Sequence, residues 1–314
     1  MKVRPFIPAD APAWVDLGHA LTDRQTTDEF VRAENERRAA GQIDCRWVAE
    51  FRGQLIGTGH LTFFPFDPPG FLSAGVMVAP GYRNRGVGRA LWKTVQDEAG
   101  RLGVSDLAAS VSDTDADSLA WAGRWGFTQH LHRFASELNL MGFDGSLFQA
   151  DLERAAAQGV TFTDMADADG ATLDRYLNFV ADRLTETPDL AGHPRWPLAQ
   201  VREILRLDTY PRPDWLVLAR GPGGEWLGIT AMVSIFGGAM AYNELTAMHP
   251  SARGRGLALP LKLEAVRRAR AAGMGRMRTN NHSQNAPMLA VNRRLGFVSL
   301  AGQVELHWTG AEKN

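Results

Sequence analysis

The run Met248-His249-Pro250-Ser251-Ala252-Arg253-Gly254-Arg255-Gly256-Leu257-Ala258 decides how this chain reads. An apolar strand ends at Met248 and a glycine-rich turn follows. A helix then begins whose leucines Leu257 and Leu261, with Leu259 and Leu263 on an adjacent stripe, recur at four-residue spacing. Glycine lets the backbone come close to a ligand, and the first N–H groups of a helix point at whatever sits there, with the helix dipole favouring negative charge. Arg253 and Arg255 add fixed positive charge, so a phosphate or pyrophosphate is the natural guest.

The same construction occurs earlier. Val76-Met77-Val78-Ala79-Pro80-Gly81-Tyr82-Arg83-Asn84-Arg85-Gly86-Val87-Gly88 runs from a strand into a helix with Val87, Leu91, Val95, Ala99 and Leu102 on one face. A shift of 170 positions superposes Arg83 on Arg253 and Phe127 on Phe297 without a gap. Within positions 80 to 127, Pro80, Arg83, Arg85, Gly86, Leu91, Ala99, Gly103, Ala116, Leu119, Ala120, Arg124, Gly126 and Phe127 each meet the same residue type 170 positions on. That agreement is far beyond what composition gives, so the chain is an internal duplication and each half is expected to be one copy of one fold.

A length of 314 residues suits two domains of ordinary size. The expected division is 1–141, a linker over 142–158, and 159–314. A net charge of −1 gives no bulk drive toward nucleic acid or anionic membrane, and neither is expected as a partner. The single cysteine, Cys45, excludes an internal disulfide and any cysteine-based metal site, and fits a reducing, cytoplasmic location. No metal site is expected. The stretch Met1 to Ala20 carries Asp10 and Asp16 within its apolar pattern and does not read as a signal peptide. Leu227 to Ala241, the longest apolar stretch, is broken by Gly228, Thr230, Ser234 and Gly237-Gly238 and reads as a hairpin.

In the first copy the pattern predicts a strand at Val3 to Ile7 and helices at Pro12 to Leu21 and Thr27 to Arg38. A strand pair follows across Arg52-Gly53, then a loop at Pro65 to Gly70 and a strand at Phe71 to Val78. The helix Val87 to Leu102, a strand at Leu107 to Val111 and a helix at Ala116 to Trp125 complete the copy. The second copy repeats the order, with a proline-rich loop at Thr187 to Pro197 and a helix from Gly256 to Ala272. Pro260 falls within that helix, removes an N–H and is expected to loosen it. Antiparallel strands followed by strand, helix, strand, helix, strand give a mixed α/β sheet in each half.

An Arg or Gln, two residues, Gly, one residue, then Gly or Ala, placed between the fourth strand and its helix, resembles the acetyl-CoA pyrophosphate loop of the GNAT-type N-acetyltransferases. Arg83, Gly86 and Gly88 match in the first copy, and Arg253, Gly256 and Ala258 in the second. The segment from Asn285-Ala286-Pro287-Met288 through Asn292 to Leu295-Gly296-Phe297 looks like a second family motif, an asparagine opening a helix that ends in Gly-Phe. The resemblance covers both halves and implies two tandem GNAT-like domains, each a mixed, mostly antiparallel sheet flanked by helices. It implies acetyl-CoA held by Met248, His249, Arg253, Gly254, Arg255, Gly256, Leu257, Ala258 and Asn285 in the second copy, and by Val78, Arg83, Asn84, Arg85, Gly86, Val87 and Gly88 in the first. A dinucleotide fold fits poorly, since Gly86-Val87-Gly88-Arg89-Ala90-Leu91 and Gly254-Arg255-Gly256-Leu257-Ala258-Leu259 both lack the third glycine. No Gly-Lys-Ser or Gly-Lys-Thr of a Walker loop occurs.

In this family a substrate amine attacks the thioester directly, so the protein must accept a proton, hold the thioester carbonyl and supply a proton to the thiolate. The resemblance implies a carbonyl-binding N–H near Met248 or Val78 and a base on the same strand. Glu244 is the candidate base; 170 positions earlier stands Ala74, so the chemistry is expected in the second copy. The alternative reading of Glu244 is an exposed acid on a solvated strand face. Four residues before Met248, Glu244 is expected on the same face and too distant for direct contact, unless water or a strand bulge shortens the path. The tyrosine that usually protonates the thiolate is replaced by Ala122 and Asn292. Asn292 can donate a hydrogen bond but is not an acid, which leaves Tyr242 or a water for the role. The expected acceptor is a primary amine of a small molecule or peptide, and the expected assembly a monomer or homodimer. A non-catalytic acyl-CoA sensor or scaffold, or an interaction domain with vestigial loops, are the other readings.

Overall fold

The computed structural model describes residues 1–19, 31, 35–36, 40–64, 67–188, 194–235 and 238–310. The expected helix at Thr27 to Arg38 and the tips of the loops at Pro65 to Gly70 and Thr187 to Pro197 fall wholly or largely outside them. The chain forms two compact units, Met1–Leu131 with the tail from Gln303, and His132–Gly302.

Unit one is built on β1 (Lys2–Pro5), β2 (Asp44–Phe51), β3 (Gln54–Thr62), β4 (Leu72–Val78) and β5 (Asp106–Ser112). The first four are antiparallel neighbours, and β4 pairs with β5 in parallel. Arg52 and Gly53 both take positive φ, 52° and 78°, which is the two-residue turn whose twist suits a hairpin and joins β2 to β3 as expected. Helix α1 (Ala11–His19) buries Trp14 and Val15 on one face of the sheet, against Val48. Helices α2 (Val87–Arg101) and α3 (Ala116–Arg124) cover the other. There Trp92, Val95 and Ala99 meet Leu61, Leu72, Leu107, Val304 and Leu306. Gly103, at φ 70°, follows α2 in the left-handed conformation that ends a helix.

Val304 and Leu306 belong to the other end of the chain. The duplicated units exchange strands: β6 (Thr128–Asn139) leaves the first repeat and pairs antiparallel with β11 (Arg276–His282) of unit two, while β12 (Val298–Thr309) pairs with β5 of unit one from Gln303 onward. Each unit's core therefore contains side chains from the other repeat, Val304 and Leu306 in one and Leu138 and Leu140 in the other. Burying such a side chain stabilises by about 1.5–3 kcal/mol, so neither core is complete from its own repeat.

In unit two, helix α4 (Gln149–Ala157), preceded by a single 3₁₀ turn at Gly145–Phe148, occupies the segment expected as a linker; Phe148, Asp151 and Ala155 on it are buried. Strands β7 (Thr161–Asp164), β8 (Leu216–Arg220), β9 (Trp226–Ile235) and β10 (Met240–Met248) are successive antiparallel neighbours, and β10 pairs in parallel with β11. Helices α5 (Gly170–Leu184) and α6 (Leu198–Ile204) pack Tyr176, Leu177, Val180 and Val201 on Leu216, Leu218, Ile229, Ala231, Val233 and Leu245. The opposite face carries α7 (Ala258–Ala271) and α8 (Ala286–Leu295), whose Leu259, Leu263, Val266 and Leu295 meet Met232, Ala241 and Met277. Because α7 starts at Ala258 and Leu261 is the residue whose N–H first closes on Leu257, Pro260 lies in the first turn. An N–H there has no intrahelical acceptor, so the proline removes nothing and the expected loosening does not occur.

Candidate active site

Both arginine turns have one backbone course. A 3₁₀ turn, Pro80–Tyr82 or Pro250–Ala252, is followed by an extended arginine, Arg83 or Arg253, and then by two left-handed positions. The first is Asn84 at φ 61° or Gly254 at 75°, and the second Gly86 at 81° or Gly256 at 76°. Asparagine is among the few residues that tolerate this region, so Asn84 reproduces what Gly254 does. A Cβ added at Gly254, Gly256 or Gly86 would meet no atom within 4 Å. These glycines are thus required by conformation and not by neighbouring protein, and the space in front of the turn is open. The first-turn N–H groups of α2 and α7 have no intrahelical acceptor. Arg253 pairs with Glu186, which also holds Arg183 at 2.9 Å, while Arg83 stands 3.7 Å from Asp115. Arg255 and Gln158 bond each other at the surface, and Arg85 lies over the Tyr82 ring.

Behind each turn the parallel strands part. Pairing of β4 with β5 ends at Ser73 and Ala108, and pairing of β10 with β11 at Tyr242 and Arg278. His249 N–H bonds Leu227 O, and Ala79 N–H bonds Ile56 O. In an antiparallel ladder the next residue back then turns its N–H away from that partner, so the N–H groups of Met248 and Val78 face the gap between the parted strands. His249 itself is exposed, its Nδ1 2.7 Å from Ser251 Oγ, capping the 3₁₀ turn. Asn285 caps α8 by accepting from Met288 N–H, as Asp115 caps α3 through Ser118 N–H, a bond that holds the Asp115 carboxyl below its ordinary range. Each arginine turn thus sets first-turn N–H groups without an intrahelical acceptor next to a strand N–H that faces the parted strands. That arrangement fits a pyrophosphate carrying a thioester arm.

The two units differ at the strand. From Ala74 to Val78, β4 advances four steps against Leu61 to Gly57, with no register shift. From Asn243 to Met248, β10 takes five steps against the four from Met232 to Gly228, and the register shifts between Asn243 and Leu245. The extra residue is Glu244. Pairing makes Ala74 the counterpart of Asn243, not of Glu244, which has none; the constant shift of 170 fails here by one residue. The bulge also changes the face. Tyr242 and Leu245 pack with the α5–α6 core, whereas Met248 packs with Leu257 and with Leu261 of α7, so the faces of β10 before and after Glu244 are out of step with a regular strand, in which Tyr242 and Leu245, three residues apart, would not share one. Surrounding protein pushes the Glu244 carboxyl up to about 7, with the Arg206 guanidinium, just beyond α6, pulling the other way.

What holds the bulge was not visible in the sequence. Buried Asn243 donates through Nδ2 to Thr230 Oγ1 (2.8 Å), to Ala231 O (3.1 Å) and to Leu245 O (3.3 Å), accepts from Thr246 Oγ1 (3.0 Å), and receives Thr279 Oγ1 on its own carbonyl (3.0 Å). Asn292 is held by a neighbouring amide. Asn281 Nδ2 donates to Phe134 O and Ser136 Oγ, which turns Asn281 Oδ1 toward Asn292 and makes Asn292 Nδ2 the donor, at 2.6 Å. One of its two amide hydrogens is thereby used, and Asn292 Oδ1 is left buried without a partner among the described residues. Asn292 therefore offers a buried acceptor as well as a remaining amide N–H.

The acetyltransferase (GNAT) family model matches residues 14–127 and again 180–297, and the chain belongs to that family, whose members bind acetyl-CoA. It is 26% identical over 228 residues to the mycothiol acetyltransferase of Pseudarthrobacter chlorophenolicus, a match covering 71% of this chain and 66% of that protein. A tandem GNAT protein from the clavulanic acid biosynthesis pathway superposes with a TM-score of 0.66 at 20% identity, over 100% of this chain and 99% of that one. A GCN5-related N-acetyltransferase from Sphaerobacter thermophilus gives 0.69 at 17% identity, over 98% and 95%. These likenesses carry the tandem fold. No helix among the described residues is long and apolar enough to cross a membrane.

Proposed function

We propose that unit two transfers an acetyl group from acetyl-CoA to a primary amine, with Glu244 as general base. The observation that carries this is the one-residue bulge that places a raised-pKa carboxyl beside the parted strands of unit two and has no counterpart in unit one. Acetyl-CoA, when bound, supplies the activated acyl group. Arg253, Arg255 and the N–H groups from Gly254 to Ala258 would hold its pyrophosphate, and Met248 N–H its thioester carbonyl. Glu244, ionised above about 7, accepts the proton of the attacking amine, directly or through a water. Tyr242, two residues back on the same strand, or a water returns a proton to the departing sulfur. Asn292 Oδ1 can accept a hydrogen bond from the thiol so formed.

A second reading applies to unit one alone. It keeps the arginine turn and the parted strands but has neither the bulge nor an acid at that place, which supports acyl-CoA binding without turnover. The acceptor is a small molecule or peptide amine, and the name of the curated relative makes a mycothiol-related amine the first to assay. A cytoplasmic location is in keeping with the single cysteine, and the assembly proposed is a monomer or homodimer. The reading is tested by thiol release from acetyl-CoA in the presence of an amine panel. Amine-dependent release that is lost in Glu244→Gln supports it; acetyl-CoA binding with no release for any amine favours the sensor.

A further inference from the structure

Unit one carries a cluster that neither the family's reaction nor the fold requires. On β12, Glu305 and His307 are two residues apart and so share one face of the strand, the face opposite Val304 and Leu306 in the core. His130, on the neighbouring β6, stands against them. Its ring stacks on that of His307 with centroids 3.8 Å apart and planes 15° from parallel, and the strands are tied locally by Thr128 Oγ1 donating to His307 O at 3.3 Å. His307 Nε2 is 3.0 Å from Glu305 Oε1, and one ligand atom from each of the three residues lies within 4.8 Å of the others. Phe71 closes one side, its ring 4.5 Å from that of His307. Glu305 is buried, His307 half-buried and His130 exposed, so the cluster is anchored at its base and open at its mouth.

The duplication supplies an internal control. The pairings Ala108 with His307 and Arg278 with Glu137 make Glu137 the counterpart of His307, and the same shift sets Ala135 against Glu305 and Leu300 against His130. In unit two those places hold an alanine, a leucine and a glutamate spent on Arg276 (3.1 Å) and Arg278 (3.0 Å). The backbone therefore folds without the cluster. Two imidazoles and one carboxylate on adjacent strands are the donor set of a borderline divalent ion, whose capture requires the stacked His130 and His307 rings to turn so that a nitrogen of each faces it. Zn²⁺ binds imidazole nitrogen and carboxylate oxygen at roughly 2.0–2.2 Å, which spaces neighbouring ligand atoms by about 3.3 Å, and three protein ligands leave a coordination position for water.

We propose that His130, Glu305 and His307 form a three-ligand site for Zn²⁺ in unit one, on the sheet face opposite α2 and α3. His130 and the other two residues meet only through the strand exchange, so no spacing in the sequence marks them as ligands. The site is independent of the acyl-transfer reading. Its test uses the full chain, freed of metal by a chelator, then titrated with Zn²⁺ and separately with Co²⁺ as a visible probe. The expected result is one Zn²⁺ retained per chain and Co²⁺ bands of a low-coordinate site. Because second-sphere changes alone cost a metal site about 10-fold to 100-fold in affinity, loss of a ligand in His130→Ala or His307→Ala should weaken binding at least ~10-fold and abolish the bands. His130 is exposed, so His130→Ala should fold as wild type, which circular dichroism checks. Absence of Co²⁺ bands in the wild type, or equal Zn²⁺ retention and unchanged bands in His130→Ala, would overturn the assignment.

Discussion

Asn243 Nδ2 donates to the carbonyl of Leu245 at 3.3 Å, bridging the one residue between them, so that Glu244 stands outside the β10 ladder. The same nitrogen also reaches Thr230 and Ala231 on the facing strand. The bulge is thus held by a side chain that is itself buried and hydrogen-bonded at both its amide atoms.

Asn243 should therefore act through Glu244. In Asn243→Ala, turnover is expected to fall ~10-fold to 100-fold and stability by about 1–3 kcal/mol, the scale of breaking a buried polar network. Acetyl-CoA affinity should stay near that of wild type. A double variant with Glu244→Gln should be no slower than Glu244→Gln alone, since the two changes remove one function. Additive losses, read from steady-state kinetics, would assign Asn243 a role of its own.

Lys262 provides a test of the core. It is buried on α7 with its ammonium 5.0 Å from the Phe297 ring centroid, and 170 positions earlier Trp92 packs on Phe127 at 5.3 Å. Burial pushes the lysine down to about 7 from its ordinary 10.5. Below about 7 both folded and unfolded chains hold the proton and the charge weighs fully against folding. Between 7 and 10.5 only the unfolded chain holds it, so stability rises with pH. Lys262→Met should accordingly stabilise the protein by a few kcal/mol at neutral pH, from ~1.4 kcal/mol per pKa unit, with a gain that shrinks toward pH 10.5. Denaturant melts across that range check the sign.

The arginine turns predict where acetyl-CoA binds. Calorimetric titration into Arg253→Glu and Arg83→Glu should show weakened binding in the first and, if unit one also takes the ligand, loss of a second set of sites in the other. Reversing a phosphate-facing charge replaces attraction with repulsion, so a fall of ~10-fold or more is expected. Unchanged affinity in both variants would remove the anion-site reading.

Much of this was legible in the chain itself. Regularly spaced glycines, arginines and apolar residues displayed the duplication, and the left-handed positions at Gly254, Gly256 and Gly86 are where the glycine pattern placed the turns. The strand exchange was not legible, because β6 and β12 have the same pattern whichever unit they complete. The bulge was hidden for a sharper reason. An ungapped shift of 170 pairs Glu244 with Ala74 and looks sound, yet the offset is 232 − 61 = 171 at the strand before, 243 − 74 = 169 at Ala74 and 248 − 78 = 170 beyond the bulge. Only the ladder partners Met232 and Leu61 reveal that Asn243 is Ala74's counterpart. Asn292 needed its neighbour Asn281 to show which end of the amide was in use.

The most direct test of the central claim is the pH profile of acetyl transfer by wild type and Glu244→Gln under saturating acetyl-CoA. The wild-type rate should rise with pH through a midpoint of about 7 as the Glu244 carboxyl ionises. The glutamine variant should be slower by roughly 10²-fold to 10⁴-fold and lack this limb. A variant with wild-type turnover, or one that keeps the limb at about 7, would contradict the claim and move the base to Tyr242, His249 or unit one.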